Sequence, residues 1–237
     1  MPLIMNRIFA VYQIAASFVL LPFSYRLWLR EPELRHDAAL AIVLLPVIFG
    51  YVVPGIGTNI TRLWEFKAGL RAGRYTLLHG LMFGGASSFL AWCYIGVTDT
   101  HPGELSLVNT IAATAVIIGM CNWLFDYLAI KYGIAVIRNK PYAEKKSSWT
   151  IVADYAPVYF GFFGGSYGAA INRLAACADG CSPVRLWMTA LASCLSIIIL
   201  PIVGHCLWSY LRHGYSGLFP YRQRDAEAPS HTRSWMH

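Results

Sequence analysis

The chain has 237 residues, of which 57% are hydrophobic and 13% charged, and its formal net charge is +7. Soluble domains carry about 25% charged residues, so half that complement argues against an ordinary soluble globule. Nor does the positive balance point to nucleic acid, because the basic residues sit in short segments between apolar runs. That is the pattern by which membrane proteins orient themselves.

The apolar runs are about 20 residues long, enough to cross a bilayer core of roughly 30 Å as helices. They are apolar on every side, where a soluble helix would show a polar face. In chain order, residues 8–29 follow Arg7 with no small-residue cleavage site and read as a retained signal anchor. Residues 38–55 form a second span, with Pro46 and Pro54 predicting a kink and an end. Residues 57–74 are too polar to span. Thr58 or Asn59 is a candidate cap, and Ile60, Leu63, Trp64 and Leu70 would share one side of an interfacial helix, with Arg62 and Glu65 near the head groups. Further spans follow at 75–97, 107–130, 149–175 and 186–210. The expected fold is all-α: a polytopic transmembrane bundle of about six spans over residues 1–212, followed by a polar, disordered tail at 213–237.

Six spans put both termini on one side. That side then carries Arg7, the loop basics Arg62, Lys67, Arg71 and Arg74, the second-loop basics Lys131, Arg138, Lys140, Lys145 and Lys146, and the tail arginines Arg212, Arg222, Arg224 and Arg233. Only Arg26, Arg30, Arg35, Arg173 and Arg185 remain for the other side, out of 19. The positive-inside bias places both termini in the cytoplasm of a bacterial-type inner membrane, with Asp99 and Asp179 outside. Gly80 and Gly84, and the run Gly161, Gly164, Gly165 and Gly168, give two helices small faces for close packing against neighbours or each other.

Depth along the spans organises the polar residues. At 1.5 Å per residue, His79, Asp126, Asp154 and His205 all fall in the cytoplasmic third of four different spans, and Asn122 lies one turn deeper on the face of Asp126. Intramembrane ionisable groups are rare and mark function by default. Two imidazoles and two carboxylates suit a divalent metal such as Zn, Mn or Fe, general acid–base work, or binding of a polar head group beside Lys145 and Lys146. No metal-ligand run selects among these, and an aspartate one turn from the interface can also simply pair with a lysine. Arg62 and Glu65 are further candidates for contact with a substrate's polar end. Cys177 and Cys181, in a short loop on the outer side, are candidates for a disulfide.

These features point to a membrane-embedded enzyme acting from the cytoplasmic side on a lipid, isoprenoid or other amphipathic substrate, with membrane lipid as its surroundings. Alternatives are a small-solute or proton-coupled transporter and a non-catalytic subunit of a membrane complex. The polar layer lies off-centre, whereas transporters tend to bind near the midplane.

Overall fold

The computed structural model describes residues 2–31, 34–96, 102, 104–178 and 180–221. Asp99, Asp179, Arg222, Arg224 and Arg233, which entered the orientation reading, lie outside the described residues.

Helix dominates. α1 (Pro2–Ala15), a wide π turn (Ala16–Leu20) and α2 (Leu21–Trp28) make one helical path. α3 (His36–Gly55) runs into a second π turn (Ile56–Ile60). α4 (His79–Ile95) and α5 (Leu107–Lys131) come next, then the short α6 (Lys140–Ala143) and α7 (Ser148–Ala153), then α8 (Ala156–Ala178) and α9 (Pro183–His213). Ser147 and Ser182 cap α7 and α9 with side-chain oxygens, and Gly214 ends α9 at φ 76°, the left-handed position glycine fills without strain.

Four stretches are long and apolar enough to cross a membrane: Ile4–Trp28, His36–Ile60, Leu107–Lys131 and Pro183–His213. Two of the six expected spans fall short of that measure. α4 has 17 residues and rises about 25 Å at 1.5 Å per residue. α8 is longer, at 23 residues, but Asn172, Arg173 and a middle rich in Gly, Ser and Tyr dilute its apolar character. The outward faces remain hydrophobic: Val116, Met120 and Leu124 on α5, and Leu191, Leu195 and Ile199 on α9, are all exposed and recur at the four-residue spacing of one helix face.

The small residues seat the helices. A Cβ added at Gly84 would strike Val47 of α3, and one at Gly85 would lie 2.7 Å from the Ala16 carbonyl. On α8, a Cβ at Gly164 would lie 2.5 Å from the Thr114 carbonyl of α5. The glycines of α4 therefore face α3 and the first helical path, and those of α8 face α5. Hydrogen bonds add to these contacts: Ser24 Oγ donates to the Gly85 carbonyl at 3.1 Å and Trp28 Nε1 to Ser88 Oγ at 2.9 Å, joining α2 to α4, and Tyr167 Oη donates to the Ile42 carbonyl at 3.0 Å, joining α8 to α3.

Residues 57–74 do not form the expected interfacial helix. They contain β1 (Trp64–Phe66) and β2 (Arg71–Ala72), with β3 (Tyr75–Thr76) just beyond them, while β4 (Ala135–Ile137) follows α5. β1 pairs antiparallel with β4 in the register Trp64↔Ile137, and β2 pairs with β3. Positive φ at Arg62 (58°), Gly69 (93°) and Gly73 (64°) breaks any helix there. The backbone groups find partners across the chain instead: Lys67 N donates to the Ile134 carbonyl at 2.7 Å, and Arg138 N to the Leu63 carbonyl at 2.8 Å. The described residues are thus mostly helical, as expected, with two small two-stranded sheets added to the bundle.

The pairing ties together one end of the bundle. The segment after α9 joins it, because Tyr221 N donates to the Arg138 carbonyl at 2.9 Å and Lys140 N donates to Tyr215 Oη at 3.2 Å. Burial raises the pKa of the Tyr215 hydroxyl, which keeps it neutral in that contact. At the other end, Cys177 and Cys181 are disulfide-bonded. Arg35 donates there to the Cys181 carbonyl at 2.9 Å, and Asn172 donates to the carbonyls of Pro102 and Leu105.

Candidate functional site

At the sheet-bearing end lies a cavity of about 220 Å³. Its walls come from Tyr12 of α1, the end of α3, α4 from His79 to Leu90, the start of α8, the last turns of α5, the later part of α9 and the joined loops. His79, Asn122, Asp126 and His205 all line it. The remaining wall is mostly apolar and aromatic.

The loops close the cavity through strand alternation. Successive side chains on a strand point to opposite faces. Trp64 and Phe66 line the cavity while Glu65 between them does not; Ile137 and Asn139 line it while Arg138 between them does not. The displaced charges meet on the other side. Arg138 Nη2 donates to Glu65 Oε1 at 2.9 Å, Arg138 Nη1 donates to the Arg62 carbonyl at 3.0 Å, and Arg74 Nε lies 3.8 Å from Glu65. Arg62 and Glu65, expected to contact a substrate's polar end, do not line the cavity; Glu65 pairs with Arg138 and Arg74.

His79, the first residue of α4, is buried among rings. Its ring centroid lies 5.6 Å from that of Trp64, 5.2 Å from Phe66, 6.1 Å from Tyr75 and 6.0 Å from Phe83. Its Nδ1 is buried with no hydrogen-bond partner among the described residues.

Asp126 and Asn122 project from α5 one turn apart. Tyr155 Oη donates to Asp126 Oδ2 at 2.6 Å, while Asn122 Nδ2 donates to the Ile118 carbonyl at 2.9 Å. His205 projects from α9. Its Nε2 lies 3.3 Å from the Gly217 carbonyl. A carbonyl only accepts, so Nε2 carries the proton and Nδ1 of the neutral ring presents a lone pair. That Nδ1 is buried with no partner among the described residues. Gly217 is needed for the approach: its φ is 70°, and a Cβ there would lie 2.8 Å from His205 Nε2.

Asp154 is elsewhere. It does not line the cavity. It sits at the break between α7 and α8, where its Oδ1 lies 2.6 Å from His213 Nε2 and 3.4 Å from Arg212 Nη1. Its Oδ2 accepts from Asn139 Nδ2 at 3.1 Å, and its carbonyl accepts from Trp208 Nε1 at 2.8 Å. This is a latch from the α7–α8 break to the end of α9. Lys145 and Lys146 border a separate hollow with Lys67 and Tyr142. The two imidazoles and two carboxylates weighed above as metal ligands are divided between cavity and latch. Among the described residues no group of three His, Cys, Asp or Glu is placed to hold a metal ion.

Sequence reasoning did not single out Tyr155, Tyr159 or His213. Tyr155 and Tyr159 both line the cavity, and the four-residue step between them was the available signal. His213 gave none, because the latch depends on where α9 stops. Comparison of the chain with protein-family models, with curated proteins and with solved structures finds no match.

Proposed function

We propose that this chain is a multi-pass inner-membrane enzyme that acts from the cytoplasmic side on an amphipathic substrate, the class that includes lipids and isoprenoids. One observation carries the reading: an apolar cavity near one end of the bundle holds a carboxylate and two imidazoles with free nitrogens. The apolar walls hold the hydrocarbon part. Asp126, positioned by Tyr155, and His205, positioned by Gly217, serve as the acid–base pair. His79 and Asn122 face the same space. Asp154 supports the site from outside through the latch.

The orientation belongs to the same proposal. Six crossings with both ends of the chain in the cytoplasm are supported by the grouping of loops: those after α3, α5 and α9 meet at one end and carry most of the basic residues. Lys67, Lys145 and Lys146 then lie at the cytoplasmic surface, where anionic head groups of the surrounding lipid meet them.

The test compares membranes containing the wild-type protein, Asp126→Asn or His205→Ala by mass spectrometric profiling of extracted amphiphiles. The wild type is expected to deplete one class and accumulate its product. Each variant is expected to lower that conversion at least 100-fold, the scale of a lost acid–base catalyst. Unchanged conversion in both variants would overturn the assignment. Gradient-driven solute uptake into proteoliposomes without conversion would favour the transporter reading.

A further inference from the structure

The charge of the cavity wall narrows the ligand. Among the described residues that line it, Asp126 is the one carboxylate, and no lysine or arginine lines it. The nearby arginines are engaged outside the lining: Arg138 and Arg74 of the loops with Glu65, and Arg212 in the last turn of α9 with Asp154. Among the described residues no cation is paired with Asp126. A carboxylate in a low-dielectric site without a counter-charge is costly, and a cation brought in by a ligand offsets that cost. A phosphate or carboxylate head group does the reverse, facing Asp126 with no lysine or arginine to receive it.

The rest of the wall agrees. Tyr12, Trp64, Phe83, Phe125, Tyr159 and Phe160 line the cavity, and aromatic faces attract a positive group electrostatically. The lone pair on the buried His205 Nδ1 accepts an N–H, which favours an amine bearing hydrogen over a quaternary ammonium. At about 220 Å³ the cavity is smaller than the roughly 300–1,000 Å³ of drug-sized sites. That suits the end of a single chain rather than a two-tailed lipid.

We infer that the cavity binds the ammonium end of an apolar amine, with Asp126 as its counter-ion and His205 Nδ1 as a second acceptor. This rests on the proposed reading of the cavity as the substrate site and names the class of substrate.

The experiment uses the full chain in nanodiscs of zwitterionic lipid. Binding of decylamine, decanol and decyl phosphate is followed by tryptophan fluorescence, with empty nanodiscs correcting for partition. Decylamine is expected to bind the wild type at least tenfold more tightly than either other probe. Asp126→Asn is expected to weaken decylamine at least tenfold and leave decanol unchanged. Tyr155→Phe, which removes the hydroxyl that donates to Asp126 Oδ2 and so favours the neutral acid, is expected to weaken decylamine and leave decanol unchanged. Equal decylamine binding by Asp126→Asn and wild type overturns the inference. So does decyl phosphate binding as tightly as decylamine. Decanol binding as well as decylamine sinks the amine while leaving the proposed function in place. Binding of none of the three sinks both.

Discussion

Two aspartates at nearly the same depth do different work, and rotation about the helix axis decides which. Asp126 follows Asn122 by one turn of α5 and faces the cavity, where its ordered partner is a tyrosine hydroxyl. Asp154 stands at the C-terminal end of α7, where the chain breaks before α8, and meets His213, Arg212 and Asn139. Their places near helix ends were legible in the sequence because hydropathy marks where each apolar run starts and stops. Their bearing was not, since it depends on the break before α8, whose one signal, Pro157 in the first turn of α8, says where a helix restarts but not which way Asp154 points. The two variants therefore differ in kind. Asp154→Asn is expected to destabilise the protein by about 3 kcal/mol, the lower range for removing one partner of a buried pair. Thermal denaturation in detergent measures this, with conversion by the surviving folded fraction near that of wild type. Asp126→Asn is expected to show the opposite pattern, with near-normal melting and lost conversion. Equal melting temperatures for Asp154→Asn and wild type would rule out the latch.

At the scale of the element, small residues matter because hydrocarbon solvent removes the usual reward for burying a large side chain. Lipid tails are as apolar as leucine, so helices associate through close packing and hydrogen bonds. Along α8 this separates positions a turn or two apart. A Cβ at Gly168 would meet Thr114 Oγ1 and lie 2.8 Å from the Thr110 carbonyl, while a Cβ at Gly161 would have nothing within 4 Å. Gly168→Val is expected to cost about 1–3 kcal/mol through overpacking, while Gly161→Ala is expected to be neutral or slightly stabilising through helix propensity. Chemical denaturation of the two variants beside the wild type checks the contrast. The glycine faces were readable from spacing, though not which neighbour each would meet. The strands were not readable at all. β1 and β4 have three residues each, too few to establish a period of two, and their partners lie some seventy residues apart in the sequence. The apolar side chains Trp64 and Phe66 therefore fitted an interfacial helix as well as a strand.

For the whole molecule, the proposed orientation makes Glu144 cytoplasmic and Glu104 external. Single cysteines at these positions, in a background lacking Cys93, Cys121, Cys194 and Cys206, are expected to react with an impermeant thiol reagent from outside at position 104 and from inside at 144. The reverse pattern would invert the protein. Cys177 and Cys181 are expected to take up reagent only after reduction. The covering of the cavity by the segment after α9 also bears on biosynthesis. Chains are made from the N-terminus, and the last pieces of the wall are Gly217 and Leu218. Until those residues leave the ribosome, the nascent protein has its helices but no finished chamber, and the His205 ring has no carbonyl to hold its tautomer. On the proposed reading, catalytic competence thus waits for residues 217 and 218. A chain stopped after His213 is expected to insert and remain helical by circular dichroism yet show no conversion; if the proposed function holds, synthesis halted early leaves inert protein in the membrane.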